Sequence, residues 1–450
     1  MIGDFMEKII DTPCGKIMGT ECKVPGTVAF KGIRYAKAGR WEYPETVTEW
    51  EGVYNATAYG SCCFQPRSFY NEEENLKKVF YYNEFRKGES YSYSEDCLFL
   101  NIWVPEKAEK ESRLPVIVYI HGGGYKSGCG HEKPFDDPIW PTKDVVAVTV
   151  NYRLGPLGFL CLSDLDKEEG RVGNYGLFDQ LAALEWVKRN IGAFGGDAEN
   201  VTVMGQSAGA MSVQHLCQSP LSEGLFEKAV MSSGAGAGKI LLGTKEKNCA
   251  FGDEVMKRCG CRTAAELKNI PVEKLFEEWQ KAQKEVKGGM MATGPVKDGI
   301  FIPEVPELKD IPYMCGSTSH DMMSPILYVM AKKWGIKQGV KNYVWFFDRM
   351  LPGDSNGAWH SSDLWYWFGT LKNCWRPMEE KDFEVSKQMA SYLCNFAKSG
   401  DPNGENLPHW EPTGKENKKV LRIGEGETGM GKASIIKLIR TMLTTKAVGE

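Results

Sequence analysis

Asn200-Val201-Thr202-Val203-Met204-Gly205-Gln206-Ser207-Ala208-Gly209-Ala210 is the stretch that decides the fold. The β-branched run Val201-Thr202-Val203 reads as a short buried strand, and Met211-Ser212-Val213-Gln214-His215-Leu216 as the helix that follows. Between them stands Gly-x-Ser-x-Gly, a turn so tight that flanking side chains must be nearly absent, hence Gly205 and Gly209. Such a turn pushes Ser207 out at the carboxyl end of a sheet, near the positive end of the helix dipole. A serine held there can attack an acyl carbon if a base and an oxyanion hole stand beside it.

Context matters more than the five-residue pattern, because Gly353-Asp354-Ser355-Asn356-Gly357 matches it equally well. That copy follows Leu351-Pro352 instead of a strand and leads into Trp359-His360 with no small-residue helix start, so it reads as a polar loop. Upstream of Ser207, the continuous apolar run Leu114-Pro115-Val116-Ile117-Val118-Tyr119-Ile120 ends in His121-Gly122-Gly123-Gly124-Tyr125. A glycine turn after a central strand presents backbone N–H groups without Cβ obstruction, which an oxyanion hole requires. A further strand, Val145-Val146-Ala147-Val148-Thr149-Val150, lies between that turn and Ser207. Apolar strands alternating with helices imply an α/β fold with a mostly parallel sheet.

The base must come from six histidines. His121 belongs to the glycine turn, and His131 also precedes the serine, against the order serine, acid, histidine. His215 lies on the helix after Ser207, ~12 Å along its axis, and cannot take that serine's proton. His320, His360 and His409 remain. His409 sits in a Pro-bounded surface stretch, whereas His360 precedes the aromatic run Leu364-Trp365-Tyr366-Trp367-Phe368, which can position and dry a general base. The orienting carboxylate should close a strand and precede the histidine. Asp321 does so, on the loop Ser317-Thr318-Ser319-His320-Asp321 after Ile311-Pro312-Tyr313-Met314-Cys315-Gly316. Spacing alone leaves Asp298, Asp310, Asp348 and Asp354 as competitors.

These residues carry a resemblance to the type-B carboxylesterases, the α/β-hydrolase family that includes the cholinesterases and the non-catalytic neuroligins. Phe194 to Gly209 is similar to the family's serine signature throughout, and Glu95-Asp96-Cys97-Leu98-Phe99-Leu100-Asn101 resembles its second signature. Asn151-Tyr152-Arg153-Leu154-Gly155, Gly173 to Gln180 and Phe396 to Asn403 are further matching blocks, and the likeness spans roughly residues 10 to 425. The resemblance implies an α/β-hydrolase fold and an ester hydrolase with Ser207, Asp321 and His360 as its catalytic residues. It places the oxyanion hole at Gly123, Gly124 and Ala208. It also implies a small-molecule ester substrate and no metal or organic cofactor, and it relates Cys97 with Cys62 or Cys63 to a family bridge. The family's acid is usually Glu, one methylene longer than Asp321. No Trp lies between Cys63 and Glu95, where cholinesterases keep an aromatic platform for choline. The chain is short for the family, and similarity is thinnest between about 240 and 310.

With 450 residues and 42% hydrophobic content the chain can bury one large core, so a single catalytic domain over 1–450 is expected. Residues 240–310 read as a helical, cap-like insertion, with helices over Ala264–Ile270 and Val272–Val286 broken by Gly288-Gly289. Met290, Met291 and the small-residue segment Ser232–Gly238 are candidates to line a roomy acyl pocket. Net charge is −4 with both signs interspersed, which points to neither nucleic acid nor anionic membrane. The first residues include Asp4, Glu7 and Lys8 and form no apolar h-region, so a cytoplasmic protein with reduced thiols among its 14 cysteines is expected. Cys249, Cys259 and Cys261 have no histidine among them and read as structural thiols.

Two other function classes are weighed. Gly426-Glu427-Thr428-Gly429-Met430-Gly431-Lys432-Ala433 nearly spells a phosphate-binding loop, but Ala433 stands where the motif needs Ser or Thr for Mg²⁺. A catalytically silent binding protein of the neuroligin kind would lack the serine or its partners, and here Ser207, Asp321 and His360 are all present.

Overall fold

The computed structural model describes residues 7–75, 79–170, 172–290, 292–337 and 341–444. Its centre is a 13-stranded sheet among the described residues. Twelve strands lie on one path, in chain order β1 (Glu7–Thr12), β2 (Gly15–Glu21), β3 (Thr27–Arg34), β4 (Phe99–Pro105), β5 (Leu114–Ile120), β6 (Val146–Val150), β7 (Gly196–Gln206), β8 (Lys228–Ser232), β9 (Tyr313–Thr318), β10 (Asn342–Phe347), β11 (Val420–Ile423) and β12 (Gly429–Gly431). Their spatial order is β1-β2-β3-β4-β6-β5-β7-β8-β9-β10-β11-β12, and Val53–Asn55 pairs with β2 off that path. From β6 to β11 every pairing on the path is parallel, while the pairings beyond them on the path are antiparallel and Val53–Asn55 runs parallel to β2.

The parallel strands read as unbroken apolar runs because helices cover both of their faces. Alternation sorts their side chains: Val116, Val118 and Ile120 join one apolar layer, while Ile117 and Tyr119 join the other. The first layer is completed by α1 (Tyr175–Asn190), α2 (Ala208–Gln218) and the helices of residues 240–310. The second is completed by Leu364–Phe368 and α3 (Glu380–Ser399), whose Val385, Met389, Leu393 and Phe396 are buried at helical spacing.

Residues 240–310 form three helices, Lys245–Arg258, Ala264–Lys268 and Val272–Glu285. Thr244 and Thr263 cap the first two by accepting the N–H of Lys247 and of Glu266. The third buries Leu275, Phe276, Trp279 and Ala282, and it closes over Gly155. Asn174 ties the segment to the start of α1 by exchanging two hydrogen bonds with the Val296 backbone at 2.7 and 2.8 Å. Met290 is exposed, and Met291 lies outside the described residues.

The stretch resembling a phosphate loop is a hairpin, in which Gly429–Gly431 pairs antiparallel with β11, so its backbone serves the sheet edge. In the segment Ser232–Gly238, Ala235 and Ala237 belong to the apolar layer, and a Cβ on Gly234 would press on the Ser207 carbonyl.

Candidate active site

Ser207 sits between β7 and α2 with φ 55° and ψ −123°, a conformation that side chains other than glycine rarely adopt. Close packing holds it there. A Cβ on Gly205 would overlap the Gly209 carbonyl, and one on Gly209 would overlap the carbonyl of Ile120 at the end of β5. The Ser207 N–H donates to the Ser232 carbonyl at 2.9 Å, and the Ser207 carbonyl accepts the first helical bond from Met211 at 3.0 Å. Its side chain is partly exposed and makes no hydrogen bond among the described residues.

The glycine turn faces this serine. A Cβ on Gly122 would lie 3.0 Å from the Ser207 Cβ. The Gly123 carbonyl is occupied by the N–H groups of Lys126 at 3.0 Å and Ser127 at 3.1 Å. Gly123 and Gly124 both have positive φ, 108° and 62°, and a Cβ on Gly123 would overlap the Ser127 carbonyl. Ala208 opens α2, where first-turn N–H groups have no intrahelical acceptor.

Asp321 and His360 are brought together. His360 Nδ1–H donates to Asp321 Oδ1 at 2.6 Å, and both side chains are buried. The carboxylate also accepts Ser233 Oγ at 2.5 Å, Thr318 Oγ1 at 3.3 Å and the Met322 N–H at 2.9 Å. Burial works against the ionised carboxylate, but His360 and these donors outweigh it and hold Asp321 below the usual range. For His360, burial favours the neutral ring, while the Asp321 charge and hydrogen bond, with Asp363 behind them, hold its pKa above the ordinary value. The Trp359 ring beside it is packed by Phe80, Tyr81 and Phe85 at 5.2 to 5.8 Å, which excludes water from that side.

Ser207 and His360 are joined less directly. His360 Nε2, unprotonated when Nδ1 carries the hydrogen, accepts from the Gln206 amide nitrogen at 3.2 Å. Gln206 therefore occupies the atom that would take the serine's proton, and it must turn aside for that transfer. Asp363 is a second buried carboxyl near the imidazole. It accepts Ser232 Oγ at 2.8 Å and Trp367 Nε1 at 3.1 Å, and burial raises its pKa to about 6. Sequence reasoning missed Gln206, Ser233 and Asp363. Asp363 alone left a signal, as a charge beside an otherwise apolar aromatic run.

The competing residues are engaged elsewhere. Asp298 accepts the N–H groups of Ile300 and Ile302, Asp348 pairs with Arg422, Asp354 pairs with Arg376 at 2.5 Å, and Asp310 is exposed. Ser355 is exposed on a loop. His215 is buried in α2 with its pKa lowered to about 4 by burial. His409 is exposed, and His320 bonds Ser319 Oγ through Nδ1 at 2.9 Å. All 14 cysteines are free thiols, and Cys97 neighbours Cys63 while Cys62 neighbours Cys129.

The remaining matching blocks serve the scaffold. Arg153 clamps Asp179 through three nitrogens at 2.7 to 3.0 Å, joining the Asn151–Gly155 and Gly173–Gln180 stretches. Glu95 takes Arg40 bidentately at 2.6 and 2.7 Å, and Asp96 pairs with Arg34.

The chain also matches known proteins along its length. The carboxylesterase family profile matches residues 6–344 and 323–437. The chain is 32% identical to the para-nitrobenzyl esterase of Bacillus subtilis (strain 168), covering 92% of this chain and 94% of that protein. It is 28% identical to liver carboxylesterase 1 of Mus musculus, covering 92% and 89% respectively. Among solved structures, an esterase from Clostridium hathewayi that can hydrolyse aliphatic aromatic polyesters superposes with a TM-score of 0.84 at 26% identity, over 98% of this chain and all 100% of that one. A PNB esterase superposes at 0.81 with 28% identity, over 97% and 100%. The architecture is the α/β-hydrolase fold.

Proposed function

We propose that this chain, which belongs to the carboxylesterase family and is a carboxylic ester hydrolase, works through a covalent acyl-enzyme on Ser207. The observation that carries the reading is the 2.6 Å bond from Asp321 to His360 beside a serine in the φ 55°, ψ −123° turn. Asp321 fixes the tautomer with the hydrogen on Nδ1, which leaves Nε2 as the base. Once the Gln206 amide turns away, Nε2 takes the Ser207 proton as the oxygen attacks the ester carbonyl. The N–H groups of Gly123, Gly124 and Ala208 stabilise the oxyanion, His360 protonates the leaving alcohol, and water repeats the sequence to release the acid.

The substrate is a neutral small-molecule ester, since no Trp stands between Cys63 and Glu95 to favour a quaternary ammonium. Residues 240–310 act as a cap beside the glycine turn: Trp279 lies 6.0 Å from the Lys126 ammonium, just past Gly124. No helix among the described residues is long and apolar enough to cross a membrane.

A fluorophosphonate probe tests the reading. It should label the native chain on Ser207, as mapped by mass spectrometry. Ser207→Ala should abolish labelling and lower kcat by several powers of ten, whereas Ser355→Ala should change neither. A chain that folds but takes no label would instead be a silent binding protein.

A further inference from the structure

Beside the glycine turn, three side chains converge that the proposed reaction does not use. Cys62 lies on the short strand Cys62–Cys63, and Cys129 and His131 lie on the loop that leaves the glycine turn. All three are buried, and their ligating atoms lie within 4.8 Å of one another. We propose that Cys62, Cys129 and His131 form a binding site for a thiophilic divalent metal ion, with zinc the best fit.

The spacing is that of a coordination sphere. Zinc binds sulfur at about 2.3 Å and imidazole nitrogen at about 2.0–2.1 Å, so tetrahedral angles put the two donors about 3.5 Å apart. Cys62 Sγ and His131 Nε2 are 3.5 Å apart. The donors are also held in place. The Gln65 carboxamide bonds both the carbonyl and the N–H of Gly128, at 3.1 and 2.9 Å, just before Cys129. Asn151 takes the Gly130 N–H at 2.7 Å just after it. The His131 ring lies between Tyr59 at 4.5 Å and Tyr91 at 5.6 Å.

Charge selects the ion. Two thiolates and a neutral imidazole around a divalent cation sum to zero, whereas a monovalent cation would leave a buried negative charge. Glu132 next door does not alter this balance, because Arg67 and Arg86 hold it at 2.6 and 2.9 Å. The other neighbouring thiols, Cys63 with Cys97 and Cys161 with Cys249, have no histidine in such a cluster among the described residues. A Cβ on Gly128 would press on His121 and the Gly122 carbonyl, so a metal here would brace the glycine turn.

Cobalt(II) added to the reduced, metal-free protein is the probe. One equivalent should give the near-ultraviolet thiolate charge-transfer band and the intense visible bands of a tetrahedral ion. Zinc should displace it and raise the melting temperature by a few degrees. Cys129→Ser and Cys62→Ser should each lose the charge-transfer band, and Cys161→Ser should keep it. X-ray absorption of the zinc-loaded native chain, which needs no variant to fold, should find two sulfur ligands and one imidazole. No stoichiometric binding, an ion without sulfur ligands, or a signal that survives Cys62→Ser with Cys129→Ser would overturn the site.

Discussion

Replacing Asp321 by Asn separates two effects that such a change usually mixes. Oδ1 of Asp321 accepts two N–H donors, from His360 at 2.6 Å and Met322 at 2.9 Å. Oδ2 accepts two hydroxyls, from Ser233 at 2.5 Å and Thr318 at 3.3 Å. A carboxamide has one oxygen and one NH2 group. The NH2 cannot face the Met322 N–H, which has no lone pair, but the Ser233 and Thr318 hydroxyls can rotate to accept it. The Asn oxygen therefore takes the Oδ1 place, and His360 keeps its hydrogen on Nδ1. The tautomer survives and the charge is lost. Two unit charges about 4 Å apart at an effective dielectric of about 20 interact by about 4 kcal/mol, or about three powers of ten in rate. The neutral hydrogen bond that remains returns part of this. Asp321→Asn should thus lower kcat by about 10²–10³ with little change in KM, and move the acid limb of the pH profile down. Hydrolysis of a p-nitrophenyl ester across pH, with thermal melting to verify folding, reads all three. A kcat within about tenfold of wild type would refute the role of Asp321. A loss of about 10⁴ or more, the cost of the wrong tautomer, would refute the orientation assigned to the amide.

Because Asp321 raises the imidazole pKa, native kcat/KM should fall at low pH with a midpoint above that of an ordinary histidine. Gln206→Glu puts a carboxylate where an amide stands 3.2 Å from His360 Nε2, favours imidazolium, and should move that midpoint up by about one unit or more; no movement would mean Gln206 does not face the base. Gly123→Ala forces a Cβ into the Ser127 carbonyl at φ 108° and should cost about 10²-fold or more in kcat. Gly124→Ala meets open space at φ 62° and should cost about 1–2 kcal/mol in a denaturant melt while keeping most activity.

The strands, the glycine turn and the serine turn were legible because each is a local pattern with one steric solution. Asp321 and His360 could be nominated by chain order and context, and the structure brings those two together while Asp354 pairs with Arg376 and Asp348 with Arg422. What sequence could not give is which polar atoms meet across elements. Ser233 read as a small residue fit for a pocket wall, yet its hydroxyl serves Asp321, because β8 and β9 run side by side and the Ser233 N–H still meets the Gly316 carbonyl of β9 just past the end of β8. Cys62 and Cys63 could not be separated by spacing. In a strand, successive side chains point to opposite faces, so Cys63 meets Cys97 while Cys62 meets Cys129. The phosphate-loop likeness at Gly426–Ala433 was set aside on Ala433, and the hairpin at Gly429–Gly431 gives its glycines another use, since a glycine-rich run shows where backbone can approach but not what approaches it.

The strained serine shows how these elements depend on one another. A φ of 55° with ψ −123° costs a non-glycine residue on the order of 1–3 kcal/mol, and nothing in the residue itself offsets this. The surroundings do. Gly209 lets α2 close onto the Ile120 carbonyl at the end of β5, Gly234 lets the β8 loop close onto the Ser207 carbonyl, and the Ser232 carbonyl fixes the Ser207 N–H. All of these contacts are backbone to backbone, between strands whose parallel register is set over many residues, so they cannot relax one at a time. The same β8 strand ends in the two serines that hold Asp363 and Asp321. Ser207, His360 and Asp321 are thus tied to one strand end, and a change that shifts β8 relative to β7 should disturb all three together while leaving the rest of the sheet intact.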